Sequence, residues 1–432
     1  MQRRVFFVVA GLLGVAASAV WAEPKELASS LTLDAAVAEA LRNNPQVRAM
    51  EARWQAARER PMQERTLPNP MVSFKTMDTI DDYNFQEKRV ELEQTFPWFG
   101  KLGLRSKVAE KDAELVHREH QTMELEVVVA VKETYFDLYA VQRSLSITRT
   151  EEDILKRMET IAETRYSTGE ASQQDVLEAQ TEITMLKQRL WELEQQETTL
   201  KAKLNQLLNR PIDSAIGLAV TEPAAEVEAD TGSLFALARK TRPEIKNAQA
   251  QIERDEAQRN LMRKEFFPDY RLGVEYRNVG ADYSNVNLTR SDNMVMFTVG
   301  FDLPIWQTKY RAGLREAENT VESSKDALEA AEQQTSYDVQ DAHFKLQTAR
   351  RTMELYKTAL IPQAEARFNA SESAYRSGKA GFLDLLESER FLLNARVMEA
   401  MAEGSLGTQL ARLERAVGTE LSPIARLGGS GK

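Results

Sequence analysis

Hydrophobic and polar positions along the chain follow two different periods. Segment 176–207 carries apolar residues at alternating steps of three and four, with one polar break at Glu197. This spacing predicts a long helix with a coiled-coil seam. Helical periodicity predicts further helices, and the full set is 33–66, 101–165, 172–209, 233–266, 309–374 and 381–418. The two longest, of about 65 residues, would each span roughly 100 Å.

Four shorter segments alternate with period two, which predicts strands with one apolar and one wet face. They are 70–77, 88–96, 270–277 and 294–303, and each has eight to ten residues. Those lengths are close to the roughly 9–11 residues that a tilted strand needs to cross a membrane. A small soluble sheet packed on helices is the alternative interpretation, because period two is common in soluble sheets too.

Four strands cannot close a membrane barrel on their own, because known barrels begin at about eight strands. Open strand edges in lipid would leave backbone groups unpaired, which is very costly. If these strands span a membrane, the chain must therefore oligomerise. Two or three copies would supply eight or twelve strands.

The order of these elements occurs twice along the chain. Four residues recur 209 positions later: Tyr166, Gly169, Asp175 and Glu178 match Tyr375, Gly378, Asp384 and Glu387. A Gly-containing turn between two long helices predicts a hairpin tip, so each half has one tip. We divide the mature chain into a first repeat (23–210), a connector (211–232), a second repeat (233–419) and a flexible tail (420–432).

The shorter helices have lengths that predict end-to-end stacking. Helix 172–209 stacked on helix 233–266 would match one long helix, and so would helix 33–66 stacked on helix 381–418. Each chain would then supply four helical columns of roughly 100 Å beneath four strands. Such an arrangement is a tube rather than a globule.

The first residues are typical of a secretory leader. Arg3 and Arg4 precede an apolar, Ala/Gly-rich run, and small residues permit cleavage after Ala22 or Ala19. We favour Ala22, which makes 1–22 a signal peptide. An uncleaved anchor is the alternative, although the run is short for a membrane span. The chain has no cysteine, so it has no disulfide and no lipidated N-terminal cysteine.

Charge and motif content exclude several functions. A formal charge of −10 argues against nucleic acid as a partner. No nucleophile–base or metal constellation is visible, so we expect neither an enzyme nor a bound cofactor. His117 and His120 are three residues apart, but without a carboxylate pattern they make a poor metal site. Packing or solvated roles are expected for both.

Together these features resemble the TolC-like outer membrane efflux protein family, from about 31 to 419. The resemblance rests on Leu31-Thr32-Leu33-Asp34 with Asn43-Asn44-Pro45, on Arg242-Pro243-Glu244-Ile245, and on Asp-Val-Leu-Glu-Ala (175–179) and Asp-Leu-Leu-Glu-Ser (384–388) after each tip. It implies a mainly α protein with membrane β-strands, in which a homotrimer forms a 12-stranded outer-membrane β-barrel on a 12-helix periplasmic α-barrel. The segment from Phe96 to Lys101 looks most like the cation and heavy-metal efflux branch.

The resemblance also implies partners and a localisation. The family works as the exit duct of a tripartite pump, beside a periplasmic membrane-fusion adaptor and an inner-membrane transporter of the RND or ABC type. The duct would lie in the lipid of the outer membrane, with a long periplasmic portion. We therefore expect passive export of small solutes or metal ions.

Candidate gate residues follow from the same resemblance. Asp384 and Glu387 match acidic residues that ring the family's periplasmic entrance, and Asp175 is the equivalent position in the first copy. Residues three apart share a helical face, so a threefold axis would place both acids around a cation-attracting constriction. The alternative is that these acids only cap helices.

Tyrosine and lysine complete the candidate gate. Tyr375 matches a tyrosine that helps hold the family's closed state. The family's basic partner position is occupied here by Ala380, with Lys379 beside it, so that contact does not transfer directly. Tyr166, Gly169 and Gly378 belong to the tips themselves. Because the two tips differ, we expect the second to carry the gate.

Two other functions remain open at this point. A duct for type I protein secretion would have a similar sequence, because the pump partner sets the cargo. A periplasmic coiled-coil scaffold without a pore is the third possibility. The four amphipathic strands argue against a scaffold, which has no need of strands of membrane length.

Overall fold

The computed structural model describes residues 30–78, 84–219, 230–283 and 288–421. The predicted signal peptide (1–22) lies outside these ranges. So do residues 220–229 of the predicted connector and residues 422–432 of the predicted tail.

Each half of the chain places short helices before a β-hairpin and long helices after it, as predicted. The first half contains β1 (Ser30–Leu31), α1 (Leu33–Asn43), α2 (Pro45–Arg58), α3 (Arg60–Arg65), β2 (Met71–Asp78), β3 (Asn84–Phe96), α4 (Lys101–Ser167) and α5 (Gln173–Leu207). The second contains β4 (Leu218–Ala219), α6 (Thr231–Thr241), α7 (Pro243–Lys264), β5 (Asp269–Tyr283), β6 (Leu288–Asp302), α8 (Gln307–Leu355), a π-helical turn (Tyr356–Leu360), α9 (Ile361–Arg376) and α10 (Phe382–Val417).

The short helices are broken where single helices were predicted. Segment 33–66 divides at Asn44 and again at Glu59, and segment 233–266 divides at Arg242. Proline follows each of the breaks at Asn44 and Arg242. Because proline lacks an N–H and disfavours helical geometry in the residue before it, the helix must restart there. Asn44 then caps α2 by accepting a 2.8 Å bond from the Gln46 amide.

The predicted second long helix is also interrupted. After the 49 residues of α8, the π-helical turn widens the backbone before α9 begins. Pro362 lies just beyond that turn. Its backbone nitrogen has no N–H to donate to the carbonyl four residues earlier, and its ring clashes with that carbonyl. A wider turn relieves the clash. By contrast, α4 runs through 67 residues without a break.

The four long strands form one antiparallel sheet in the order β2-β3-β5-β6. Strands β3, β5 and β6 have 13, 15 and 15 residues, so they are longer than predicted. The ladder continues past the predicted strand ends, where for example Asn278 pairs with Asn293. Polar residues extend a strand when a partner strand satisfies their backbone groups.

The sheet exposes its apolar face. The side chains of Phe74 and Phe297 on that face are 76% and 77% exposed. On the opposite face, Arg277 forms 3.0 Å ion pairs with both Glu87 and Glu275, which are only 5% and 9% exposed. A soluble sheet packed on helices would bury the apolar face instead. The structure therefore contradicts that alternative.

The short helices stack end to end, but with other partners than predicted. The Asn44 side chain donates a 3.0 Å bond to the Leu207 carbonyl, which places the end of α5 against the α1–α2 junction. In the second half, the Thr241 hydroxyl donates a 2.7 Å bond to the Val417 carbonyl, so α10 meets the α6–α7 junction. Side chains at the helix breaks thus satisfy the last carbonyls of α5 and α10. Each half stacks its own short helices, and the predicted exchange between halves is wrong.

Close packing of α10 on α4 joins the two halves. A Cβ atom at Gly407 would lie 2.4 Å from the Phe136 ring, and one at Gly404 would lie 2.7 Å from the Ala140 Cβ. Only glycine permits this approach of two helices. Within the described ranges, no helix is both long and apolar enough to cross a membrane.

Candidate functional site

The first helical tip joins α4 to α5 through a short turn. Gly169 adopts φ = +77°, a left-handed geometry that favours glycine. The Glu170 amide donates to the Arg165 carbonyl at 2.8 Å, which closes the end of α4. Ser172 is the cap residue before α5, and its hydroxyl donates to the Asp175 carboxylate at 2.8 Å. In this tip Asp175 therefore serves the cap of its own helix.

The second tip repeats this geometry between α9 and α10. Gly378 has φ = +71°, and the Lys379 amide donates to the Ala374 carbonyl at 2.8 Å. The Gly381 amide donates to the Asp384 carboxylate at 3.2 Å, so Asp384 caps α10. Both tips are thus built from the same local chemistry.

The two tip tyrosines occupy different environments despite their matching positions. Tyr166 is 49% exposed, whereas Tyr375 is 4% exposed. The Tyr375 ring packs edge-on against Phe382, with 5.5 Å between centroids. Its buried hydroxyl has no hydrogen-bond partner among the described residues. Burial, together with the negative charge of Asp175, raises the pKa of Tyr375 against the opposing influence of Arg165.

Arg165 connects the two tips, and sequence reasoning missed it. Its Nη1 donates a 2.6 Å bond to the Tyr375 carbonyl, and its guanidinium carbon lies 4.6 Å from the centre of the Tyr375 ring. It also lies 3.7 Å from Glu170 of its own tip. The repeat offers a signal, because the residue 209 positions after Arg165 is Ala374. A charged residue present in only one copy marks a contact that the copies do not share.

Lys379 makes no contact with Tyr375 in the single chain, and its part in a gate stays a prediction. Its side chain is exposed and forms no ion pair within the described part of the chain. Arg165, on the other hairpin, provides the basic contact to Tyr375 instead. The basic side chain against Tyr375 therefore comes from the first tip.

Asp384 and Glu387 are both exposed at the start of α10. The Glu387 carboxylate lies 3.9 Å from Arg367 of α9, and both of those side chains are more than half exposed. An exposed pair at that distance contributes little to stability. Both acids are therefore available to solvent in the single chain, and their convergence around an entrance stays a prediction.

The histidines have packing partners. His117 stacks on Trp54 with 4.2 Å between ring centres, and His120 lies 6.5 Å from His117. Burial lowers the pKa of His117. The ring of His343 meets the Gln347 amide at 2.7 Å. Over the described residues, no group of three or more His, Asp or Glu side chains could hold a metal ion.

The segment from Phe96 to Lys101 is a structural joint between sheet and helix. Gly100 has φ = +87° at the start of α4. Lys101 is 2% exposed, and its ammonium contacts Asp269 at 2.8 Å and Glu265 at 3.2 Å. Trp98 stacks on Tyr270 with 5.4 Å between centroids. The motif therefore fixes the second hairpin to the first long helix.

Comparison with known proteins agrees with this architecture. The family model described as outer membrane efflux protein matches residues 36–210 and 234–419. The chain belongs to this family. The outer membrane efflux proteins form channels, and the two matched segments lie on either side of the region predicted to be a connector.

Individual members of the family resemble the chain over nearly its whole length. The cobalt-zinc-cadmium resistance protein CzcC of Cupriavidus metallidurans is 24% identical over 408 residues, which cover 91% of this chain and 92% of CzcC. The outer membrane protein TolC of Vibrio cholerae is 22% identical and covers 97% of this chain, with 96% of TolC aligned. A crystal structure of CusC superposes with a TM-score of 0.77 at 18% identity, over 90% of this chain and 92% of CusC.

Proposed function

We propose that this outer membrane efflux protein is the outer-membrane exit duct of a tripartite efflux pump. The observation that carries the proposal is the sheet, which exposes its apolar face and leaves β2 and β6 as open edges. In lipid, those edges require partners, because unpaired backbone groups are very costly there. Three copies would pair β6 of one protomer with β2 of the next and close a 12-stranded barrel.

The helices support the same homotrimer. In each chain α4 and the α8–α9 column run past two stacks of shorter helices, which gives four columns. Three chains would supply twelve columns around a periplasmic channel. A duct of this kind needs no catalytic group, since the transporter drives export.

The entrance of the duct would lie at the helical tips. Asp384 and Glu387 are exposed there, and a threefold axis would bring three copies of each around one opening. Like charges at a constriction attract cations and repel anions. Asp175 lies on the first hairpin. Tyr375 belongs to the second hairpin, where its side chain is buried.

Conductance of a double variant tests this gate. The variant is Asp384→Ala with Glu387→Ala, and a matched control replaces exposed Glu163 of α4 with Gln. In a planar bilayer, the double variant should lose cation preference and change its conductance, while the control should behave as the unmodified chain does. Unchanged selectivity in the double variant would contradict the proposed role of these acids.

Metal cations are the cargo that we propose. The support is the similarity to CzcC over 91% of the chain, since CzcC is by name a cobalt-zinc-cadmium resistance protein. Deletion of this gene should raise cellular cobalt, zinc or cadmium after metal exposure, as measured by elemental mass spectrometry, and restoring the gene should reverse it. Retention of an organic dye or of a secreted protein, with normal metal content, would favour another pump instead.

A periplasmic adaptor and an inner-membrane transporter would complete the pump. The tips are the part of the chain that such partners would reach, because they lie at the far end of the helices from the sheet. Crosslinking from a photoreactive residue at exposed Ser377 should capture an adaptor in intact cells. The same probe at exposed Phe99, beside the sheet, should not.

A further inference from the structure

Three glutamates meet behind the tips, at a level where α4, α5 and α10 pack together. Glu151 of α4 and Glu389 of α10 are each 2% exposed, and Glu182 of α5 is 9% exposed. The surrounding core is apolar and includes Leu155 and Leu386. Three carboxyl groups inside such a core need compensation, since burying an isolated charge is very costly.

One cation lies beside the three acids. Arg390 forms an ion pair with Glu182, and its side chain is 45% exposed. That pairing leaves the carboxyl groups of Glu151 and Glu389 facing each other. One Glu151 oxygen and both Glu389 oxygens are buried with no hydrogen-bond donor among the described residues.

A proton supplies the donor that these oxygens lack. A side-chain hydrogen bond joins Glu389 to Glu151, and such a bond exists only when one of the two carboxyl groups is protonated. Burial, together with the hydrogen bond and negative charge of Glu151, raises the pKa of Glu389 to about 10. One proton is thus held between the two hairpins at neutral pH.

Other charges near this level are occupied or exposed. On α9, Glu365 pairs with Arg396 at 2.8 Å, and Arg367 lies 3.9 Å from Glu387. The charged side chain of the π-helical turn, Lys357, is exposed. Within the described chain, these groups therefore do not neutralise a second negative charge at the pair.

We propose that Glu151 and Glu389 share one proton as a pH-sensitive clasp, which holds the second hairpin against the first just behind the entrance. Loss of the proton leaves two buried carboxylates in repulsion and separates α10 from α4. Because the folded pKa of Glu389 lies above its ordinary value, the contribution of the clasp is complete below the ordinary carboxyl pKa. It is lost as pH rises toward the folded pKa.

The clasp is a contact within one chain, between α4 and α10, and it does not depend on which cargo the proposed duct carries. Its effect on transport rests on the proposed function, since a looser second hairpin would widen the entrance. Separation of α10 from α4 can be measured without any transport, so the clasp stands or falls independently of a pore.

Spin-label distances between the two helices test the clasp. The chain has no cysteine, so cysteines introduced at exposed Thr160 of α4 and exposed Asn394 of α10 carry the only labels. In the purified full chain, a population with a longer distance should grow as pH rises from 6 to 10, by up to about tenfold per pH unit for one proton. The short distance should persist at every pH in Glu389→Gln, whose amide donates in place of the proton.

Two further variants separate the clasp from general effects of pH. Glu151→Gln supplies the same donor from the other side, so it should also remove the pH response if Glu389→Gln folds poorly. Glu163→Gln replaces an exposed glutamate of α4 and should titrate as the unmodified chain does. A distance that ignores pH in the unmodified chain, or one that still titrates in both buried variants, would overturn the proposal.

Discussion

Replacing Arg165 with alanine is expected to loosen the second helical tip. The substitution removes the 2.6 Å bond to the Tyr375 carbonyl and the guanidinium 4.6 Å from the Tyr375 ring. A hydrogen bond from a charged donor contributes about 1.5–3 kcal/mol, and a partly buried cation–π contact about 0.5–2 kcal/mol. The Glu170 contact adds little, because that side chain is 65% exposed at 3.7 Å.

These contributions give a loss of roughly 2–5 kcal/mol for each protomer, or about 30-fold to several thousand-fold in the equilibrium for local opening. Hydrogen–deuterium exchange of the peptides that cover 372–383 measures that equilibrium. Their amides should exchange faster by that factor, while peptides of the β-sheet stay unchanged. The control is Arg376→Ala, because Arg376 is at the same tip and pairs with Glu372 of its own helix at 2.7 Å. Equal protection in Arg165→Ala and the unmodified chain would refute the reasoning.

Three substitutions away from the tips should lower the midpoint of thermal unfolding, measured in detergent by circular dichroism. Gly407→Ala places a methyl group 2.4 Å from Phe136, so it should cost about 1–3 kcal/mol, whereas Gly103→Ala has open space and should cost nothing. Lys101→Met leaves Asp269 and Glu265 without their buried partner, and since both acids are about a quarter exposed we expect a loss of about 2–3 kcal/mol. Asn44→Ala removes the α2 cap and the bond to α5, with an expected loss of about 1–2 kcal/mol. If Gly407→Ala, Lys101→Met or Asn44→Ala unfolds at the same midpoint as the unmodified chain, the stabilising role given to that residue is wrong.

Periodicity alone predicted most of the elements. The seam of α5 is correct: Ile183, Leu186 and Leu193 are all buried. The glycine turns were also visible from the sequence, because Gly169 and Gly378 occupy matching positions. Each adopts the left-handed backbone conformation just after α4 or α9. Strand ends were less predictable, since the polar residues of β5 and β6 pair with each other and extend the ladder.

Contacts between distant segments were not predictable from local patterns. Helix lengths did not determine which helix ends stack. The contacts that determine it are made by Asn44 and Thr241, whose side chains donate to the last carbonyls of α5 and α10. Arg165 was missed because its partner lies 210 residues away. Glu389 had a signal that was overlooked: it lies four residues after Leu385 and three before Leu392, at a buried position of the α10 seam.

Single-channel recording of the purified full chain in a planar bilayer tests the central claim most directly. If three copies form an exit duct, the protein should produce discrete current steps of uniform size that favour cations over anions. A preparation that inserts into the bilayer as a folded protein yet carries no stepwise current would contradict the account.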